Sequence, residues 1–279
     1  MSKEGDYLLS TQWDQVNMYA KFCPDNNRAG CWSTAIAQIL YFHRMMPTGK
    51  VDFKTTTGYK ISEDLDSYKF NRDLFVEKLD DRTSKESADQ VAKYIYYTSL
   101  VLEEDFNTGS YNTVINEYKD GASVWNVDNV IKNLDSHFNC KVKDYHYTKG
   151  ELETYANDIE KLLKKEIDSN RPIMLYMQSE NTGHATVIDG YSYIDNKFIV
   201  HINLGANGYG NRWYDFNKPI VDELDDMNHR ILLTIKPSIN NTKNVTETLN
   251  KTNYLLETQW DKAGNYSKFC PQNEAIGYW

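Results

Sequence analysis

Gly30-Cys31-Trp32-Ser33-Thr34-Ala35-Ile36-Ala37-Gln38-Ile39-Leu40-Tyr41-Phe42-His43 is the stretch from which the rest of the chain can be placed. Ile36, Ile39, Leu40 and His43 recur at helical spacing, which predicts a helix over 31–43 with a buried face. Cys31 then falls in its first turn. The unpaired amides and positive end of a helix stabilise a thiolate and lower the thiol pKa. The same amides can donate to an oxyanion formed when a thiolate attacks a carbonyl. Gly30 permits a tight bend just before the cysteine. The competing reading of Cys31 is a small buried hydrophobe, the commonest state of a free cysteine.

Outward from this helix the pattern stays helical and then turns to strands. Thr83-Ser84-Lys85-Glu86 reads as a capping box opening a second helix, with Ala88, Val91, Ala92 and Ile95 turned inward. Val127, Val130, Ile131, Leu134 and Phe138 stripe a third, and a fourth runs from about Leu152 to Ile167. After Asn170 come short β-rich runs at Pro172–Met177, His184–Tyr191, Phe198–Asn203 and Arg230–Ile235. Helices first and strands later predict an α+β fold, a helical half facing a sheet half with a cleft between them.

The chain also repeats itself. Residues 6–32 align without a gap to residues 253–279, with fifteen identities in twenty-seven positions. This predicts one module over 1–237, a polar Asn/Thr-rich linker over 238–252, and the opening of a second copy over 253–279. In that copy Gln15 is replaced by Lys262 and Cys31 by Tyr278, so it lacks both candidate site residues.

Gly183-His184-Ala185-Thr186-Val187-Ile188-Asp189-Gly190 supplies a histidine at the start of a β-type run, about 150 residues after Cys31. The order Cys then His at that separation suits a thiol hydrolase, with His184 as base. Asn203 follows nineteen residues later and is expected to accept from the far imidazole nitrogen. Gln15 is expected to supply a side-chain amide donor to the oxyanion.

Composition narrows the partners. With 40% apolar and 25% charged residues the chain has the usual mix of a globular protein, although 21 tyrosines make it aromatic-rich. A net charge of −9 argues against a nucleic-acid or anionic-membrane partner, and no apolar run is long enough to span a bilayer. The opening MSKEGDYLLS lacks the apolar core of a signal peptide. Asn240, Asn244, Asn250 and Asn265 each begin a glycosylation-type triplet, which points to a secreted or extracellular protein, and chance in an Asn/Thr-rich linker explains them equally well. Cys23, Cys31, Cys140 and Cys270 form no metal-ligand or CxxC pattern, which leaves room for a reactive thiol. The acidic runs 103–105 and 222–226 read as solvated loops rather than metal sites. His43 reads as structural, and His137, His146 and His229 have no carboxylate or cysteine neighbour at ligand spacing.

Taken together, these blocks resemble the streptopain family of cysteine peptidases along most of residues 7–235. The shared stretches are Leu8-Leu9-Ser10-Thr11-Gln12-Trp13-Asp14-Gln15, Phe22-Cys23-Pro24, Gly30-Cys31, Ala35-Ile36-Ala37-Gln38, Arg171-Pro172-Ile173, Gly183-His184-Ala185, Asp189-Gly190-Tyr191 and His201-Ile202-Asn203-Leu204-Gly205. The resemblance implies a two-lobed papain-like fold, with the nucleophile helix in a helical N-terminal lobe and an antiparallel sheet in the C-terminal lobe. It further implies endopeptidase activity on protein or peptide substrates, a Cys31–His184 dyad, no cofactor, and an inhibitory pro-segment or inhibitor protein as partner. Three departures stand out. Leu204 and Ala206 occupy positions where the family has tryptophan, leaving Trp32 or Trp213 to shield the site. Tyr176-Met177-Gln178 is bulkier than the family's strand beside the substrate channel. No pro-segment precedes Asp6. A pseudo-peptidase that binds through its cleft, or an acyltransferase or deamidase on the same dyad, are the alternative readings.

Overall fold

The computed structural model describes residues 3–106, 108, 110–119, 122–179, 182–218, 220 and 229–238. The helix α1 spans Cys31–Phe42, and every residue from Trp32 through Leu40 is buried. A helix buried on all sides belongs in the middle of a fold, and α1 packs against the long helix α2 (Lys85–Val101) on one side. The hairpin β1 (Lys50–Lys54) and β2 (Lys60–Asp64) and the hairpin β3 (Ile115–Lys119) and β4 (Ala122–Asn126) flank this helical half. The helix α3 (Asp128–Phe138) buries Val130, Leu134 and Phe138 as their spacing predicts, and Asn139 ends it in the left-handed conformation at φ 52°.

The second half is a six-stranded antiparallel sheet. Its strands are β5 (Cys140–Thr148), β6 (Ile173–Gln178), β7 (Gly183–Ile194), β8 (Lys197–Asn203), β9 (Arg212–Asp215) and β10 (His229–Pro237), in the order β5-β10-β6-β7-β8-β9. Between β5 and β6 lie α4 (Lys149–Thr154) and α5 (Ala156–Asp168). Alternation along the strands divides the core in two. Met174, Tyr176, Ala185, Val187, Ile231 and Leu233 face α1 and the helical half. Ile173, Leu175, Met177, Ile188, Ile202 and Leu232 face α5, which contributes Ile159, Leu163 and Ile167. Cover on both faces explains why β6 is an unbroken apolar run rather than an alternating one. The expected α+β, papain-like architecture is present.

Several boundaries differ from expectation. The N-cap of α2 is Ser84, whose hydroxyl accepts from the Ser87 amide at 3.1 Å, because the Thr83 hydroxyl is taken by the Asp80 amide at 2.9 Å. A capping box does form at Thr148 and Glu151, opening α4. The fourth helix is broken at Tyr155 into α4 and α5. The acidic run 103–105 is not solvated: Glu104 and Asp105 are each 1% exposed. Hydroxyls and amides of Thr56, Thr57 and Thr108 surround the Asp105 carboxylate. His146 also departs from its reading, since its Nε2 lies 3.0 Å from Asp144 Oδ2 and pairing of β5 with β10 sets His229 Nε2 at 3.4 Å from its Nδ1. The acidic run 222–226, the repeat over 253–279 and all of the linker except Ser238 lie outside the described residues. Among the described residues no helix is long and apolar enough to cross a membrane.

Candidate active site

Cys31 is the first residue of α1, and the preceding Gly30 has φ 84°. A side chain at Gly30 would collide with the Tyr111 hydroxyl and the Glu104 carboxylate, so glycine is required both by conformation and by space. The first amides of a helix have no partner within it. Here the Trp32 amide donates to Tyr111 Oη at 3.2 Å. Gln15 is drawn to the same turn by its backbone, whose carbonyl accepts from the Ala29 amide at 2.9 Å, two residues before Cys31.

His184 is the second residue of β7, opposite Met177, and its neighbour Ala185 lies opposite Tyr176. Because α1 packs on this part of the sheet, the Ala185 amide reaches the Cys31 thiol. His184 Nε2 lies 2.8 Å from the Leu204 carbonyl oxygen. A carbonyl only accepts, so Nε2 carries the proton and Nδ1 is left with the lone pair. The loop that carries Leu204 is closed on itself, with the Leu204 amide donating to Asn211 Oδ1 at 2.8 Å.

The expected contact between Asn203 and His184 is not formed. Asn203 Nδ2 instead donates to the Thr11 carbonyl at 2.6 Å and to Gln38 Oε1 at 3.1 Å, while its Oδ1 accepts from the Gly205 amide at 3.0 Å. The Leu204 carbonyl stands where that side chain was expected. Neither tryptophan named as a shield stacks on the imidazole: Trp32 packs on Tyr176 and Tyr111, and Trp213 on His201.

Burial raises the Cys31 thiol, and the amides of Ala185, Trp32 and Cys31 itself, with the charge of Arg28, only partly offset it. Burial likewise lowers His184, opposed by the Leu204 carbonyl and by the charge of Asp14. Both directions favour the neutral form of each group, thiol and imidazole, in the free protein, so at Cys31 burial outweighs the amides of the helix start. Asp14, missed in the sequence, is fixed by the Gln15 amide at 2.6 Å and was legible only as a neighbour of Gln15. Cys23, Cys31 and Cys140 are all free, and of these only Cys31 is incompletely buried.

A model of the Peptidase C10 family matches residues 13–214. The chain belongs to the Peptidase C10 family. As a member of it, the chain is a cysteine-type peptidase. The match begins at buried Trp13, takes in Cys31, His184 and Asn203, and ends in β9. Among the solved structures that share the fold are two of interpain A from Prevotella intermedia. A prointerpain A fragment superposes with a TM-score of 0.62 at 18% identity, over 83% of this chain and 72% of that one. Active wild-type interpain A, a cysteine protease, superposes with a TM-score of 0.59 at 19% identity, over 82% of this chain and 95% of that one. No curated protein matches the chain significantly.

Proposed function

We propose that this C10 chain is an endopeptidase that cleaves proteins or peptides outside the cell, with Cys31 as nucleophile and His184 as its base. The observation that supports this most is the seating of the first turn of α1 on the start of β7. It sets the Ala185 amide on the thiol and leaves the adjacent His184 clamped at Nε2 by the Leu204 carbonyl.

In this reading Cys31 Sγ passes its proton to His184 Nδ1 and attacks the scissile carbonyl carbon. The thiolate–imidazolium pair is thus reached by proton transfer from a neutral resting pair. The Cys31 amide and the Gln15 side chain donate to the oxyanion. Collapse breaks the C–N bond, His184 returns its proton to the leaving amine, and a thioester remains on Cys31. A water deprotonated by His184 attacks the thioester, releasing the acid and restoring the thiol. Asn203 serves to position the loop that presents the Leu204 carbonyl. We assign the activity to residues 1–237, with 238–252 as linker and 253–279 as a second copy without the nucleophile. Since one interpain A structure is of a pro-form, a pro-segment or inhibitor protein over Cys31 is the restraint we propose.

Labelling by an epoxide inhibitor of papain-type enzymes, located by mass spectrometry, tests the reading. Modification is expected at Cys31 alone, and at least about a hundredfold more slowly in His184→Ala. Equal labelling of Cys23, Cys31 and Cys140 would sink it.

A further inference from the structure

Glu104 is the residue the mechanism leaves unexplained. It sits just after α2, yet it is 1% exposed, and its Oε2 is buried with no hydrogen-bond partner. The segment that follows folds back on it: Asp105 and Asn112 amides donate to the Ser110 and Glu103 carbonyls, and Glu104 and Tyr111 pair as an isolated antiparallel bridge. This backbone pairing delivers two side chains to one place, directly beneath Gly30. Tyr111 Oη accepts from the Trp32 amide at 3.2 Å, so its own proton is free to turn toward the Glu104 carboxyl, which lies beside it under Gly30 and whose ionisation it eases. The absence of a side chain at Gly30 is what lets the pair approach the nucleophile turn so closely.

We propose that Tyr111 and Glu104 are a positioning pair for the nucleophile. Tyr111 fixes the first turn of α1 through the Trp32 amide, and Glu104 backs it with an uncharged carboxyl. This inference rests on Cys31 being the nucleophile. The groups facing Glu104 are Tyr111, Cys31 on α1, Cys23 ahead of α1, and its neighbour Asp105; the nearby cation is Arg28, which acts on Cys31. The set around Glu104 is acidic, so a charge there has no partner. Burial, and then the proximity of Cys31, hold the Glu104 carboxyl well above the usual carboxylate range. Two buried acids side by side do not ionise independently. A neutral Glu104 therefore allows Cys31 to lose its proton, whereas an ionised one opposes it.

The test is the pH dependence of Cys31 alkylation by iodoacetamide, with the site confirmed by mass spectrometry, in the full chain and in Glu104→Gln and Tyr111→Phe. Glu104→Gln keeps the shape and the neutral state but removes the acid whose ionisation competes with that of Cys31, so its profile is expected to move to lower pH by more than about half a unit. Tyr111→Phe removes the donor that eases Glu104 ionisation and should move the profile in the same direction. It should also lower kcat about tenfold with KM little changed, because the Trp32 amide loses its partner. If Glu104→Gln does not fold, the Tyr111→Phe profile decides alone. Profiles that superpose on the parent's, with Cys31 still the residue labelled, overturn the pair. Failure of Cys31 to label selectively in the parent overturns the nucleophile assignment instead.

Discussion

Asn203 shows how far residue type and spacing carry, and where they stop. Its position in the chain is the one expected of a residue that orients His184, but its amide ties Thr11 to Gln38 of α1. Its loss should therefore be felt in stability before chemistry. Asn203→Ala leaves buried partners unsatisfied and is expected to cost about 2 kcal/mol in urea unfolding, with kcat reduced no more than about threefold. A hundredfold fall in kcat at unchanged stability would instead put the side chain on the imidazole. The helix start at Cys31 and the strand start at His184 were legible because both are local patterns. The Leu204 carbonyl was not, since any residue offers a carbonyl and only the closed loop aims it. Glu104 was misread because an acidic run is ordinarily solvated, and nothing local to 103–105 reveals that Gly30 and Tyr111 will enclose it.

The elements fall into those the sequence announced and those that pairing decided. α1, α2 and α3 were legible because their apolar positions keep helical spacing over three turns or more. β6, β7, β8 and β10 were legible as apolar runs, but β5 was not: only Cys140 and Val142 are buried, and the rest of the strand is polar on an edge. β9 is four residues long and its place depends on β8. The start of α2 offers a direct check on which hydroxyl caps it. Ser84→Ala should cost about 1 kcal/mol in thermal or urea unfolding, because it removes the acceptor for the Ser87 amide. Thr83→Ala should cost less, as it loosens only the turn with Asp80. The reverse order would restore Thr83 as the cap.

Over the whole molecule, two half-buried histidines shape how the fold responds to acid. His43, at the end of α1, has its Nε2 buried without a partner, and burial with the charge of Arg171 lowers it to about 4. His229, at the start of β10, is lowered to about 4 by burial and by His146. Both folded values lie below the ordinary 6.5, so between pH 6.5 and 4 the unfolded chain takes up protons that the fold refuses. Stability from these two groups is therefore complete above 6.5 and is lost as pH falls through 4, at most about 3 kcal/mol from His43 and less from the more exposed His229, where solvent screens the effect. Glu104 runs the other way: its raised carboxyl favours the fold on the acid side and opposes it as pH rises. The two histidines lie at separate places in the fold, so their contributions should add. Urea midpoints of the full chain should decline on acidification below pH 6.5, His43→Phe and His229→Phe should each flatten that decline, and the double variant should flatten it most. A slope unchanged in both single variants would mean that neither imidazole is held neutral by the fold.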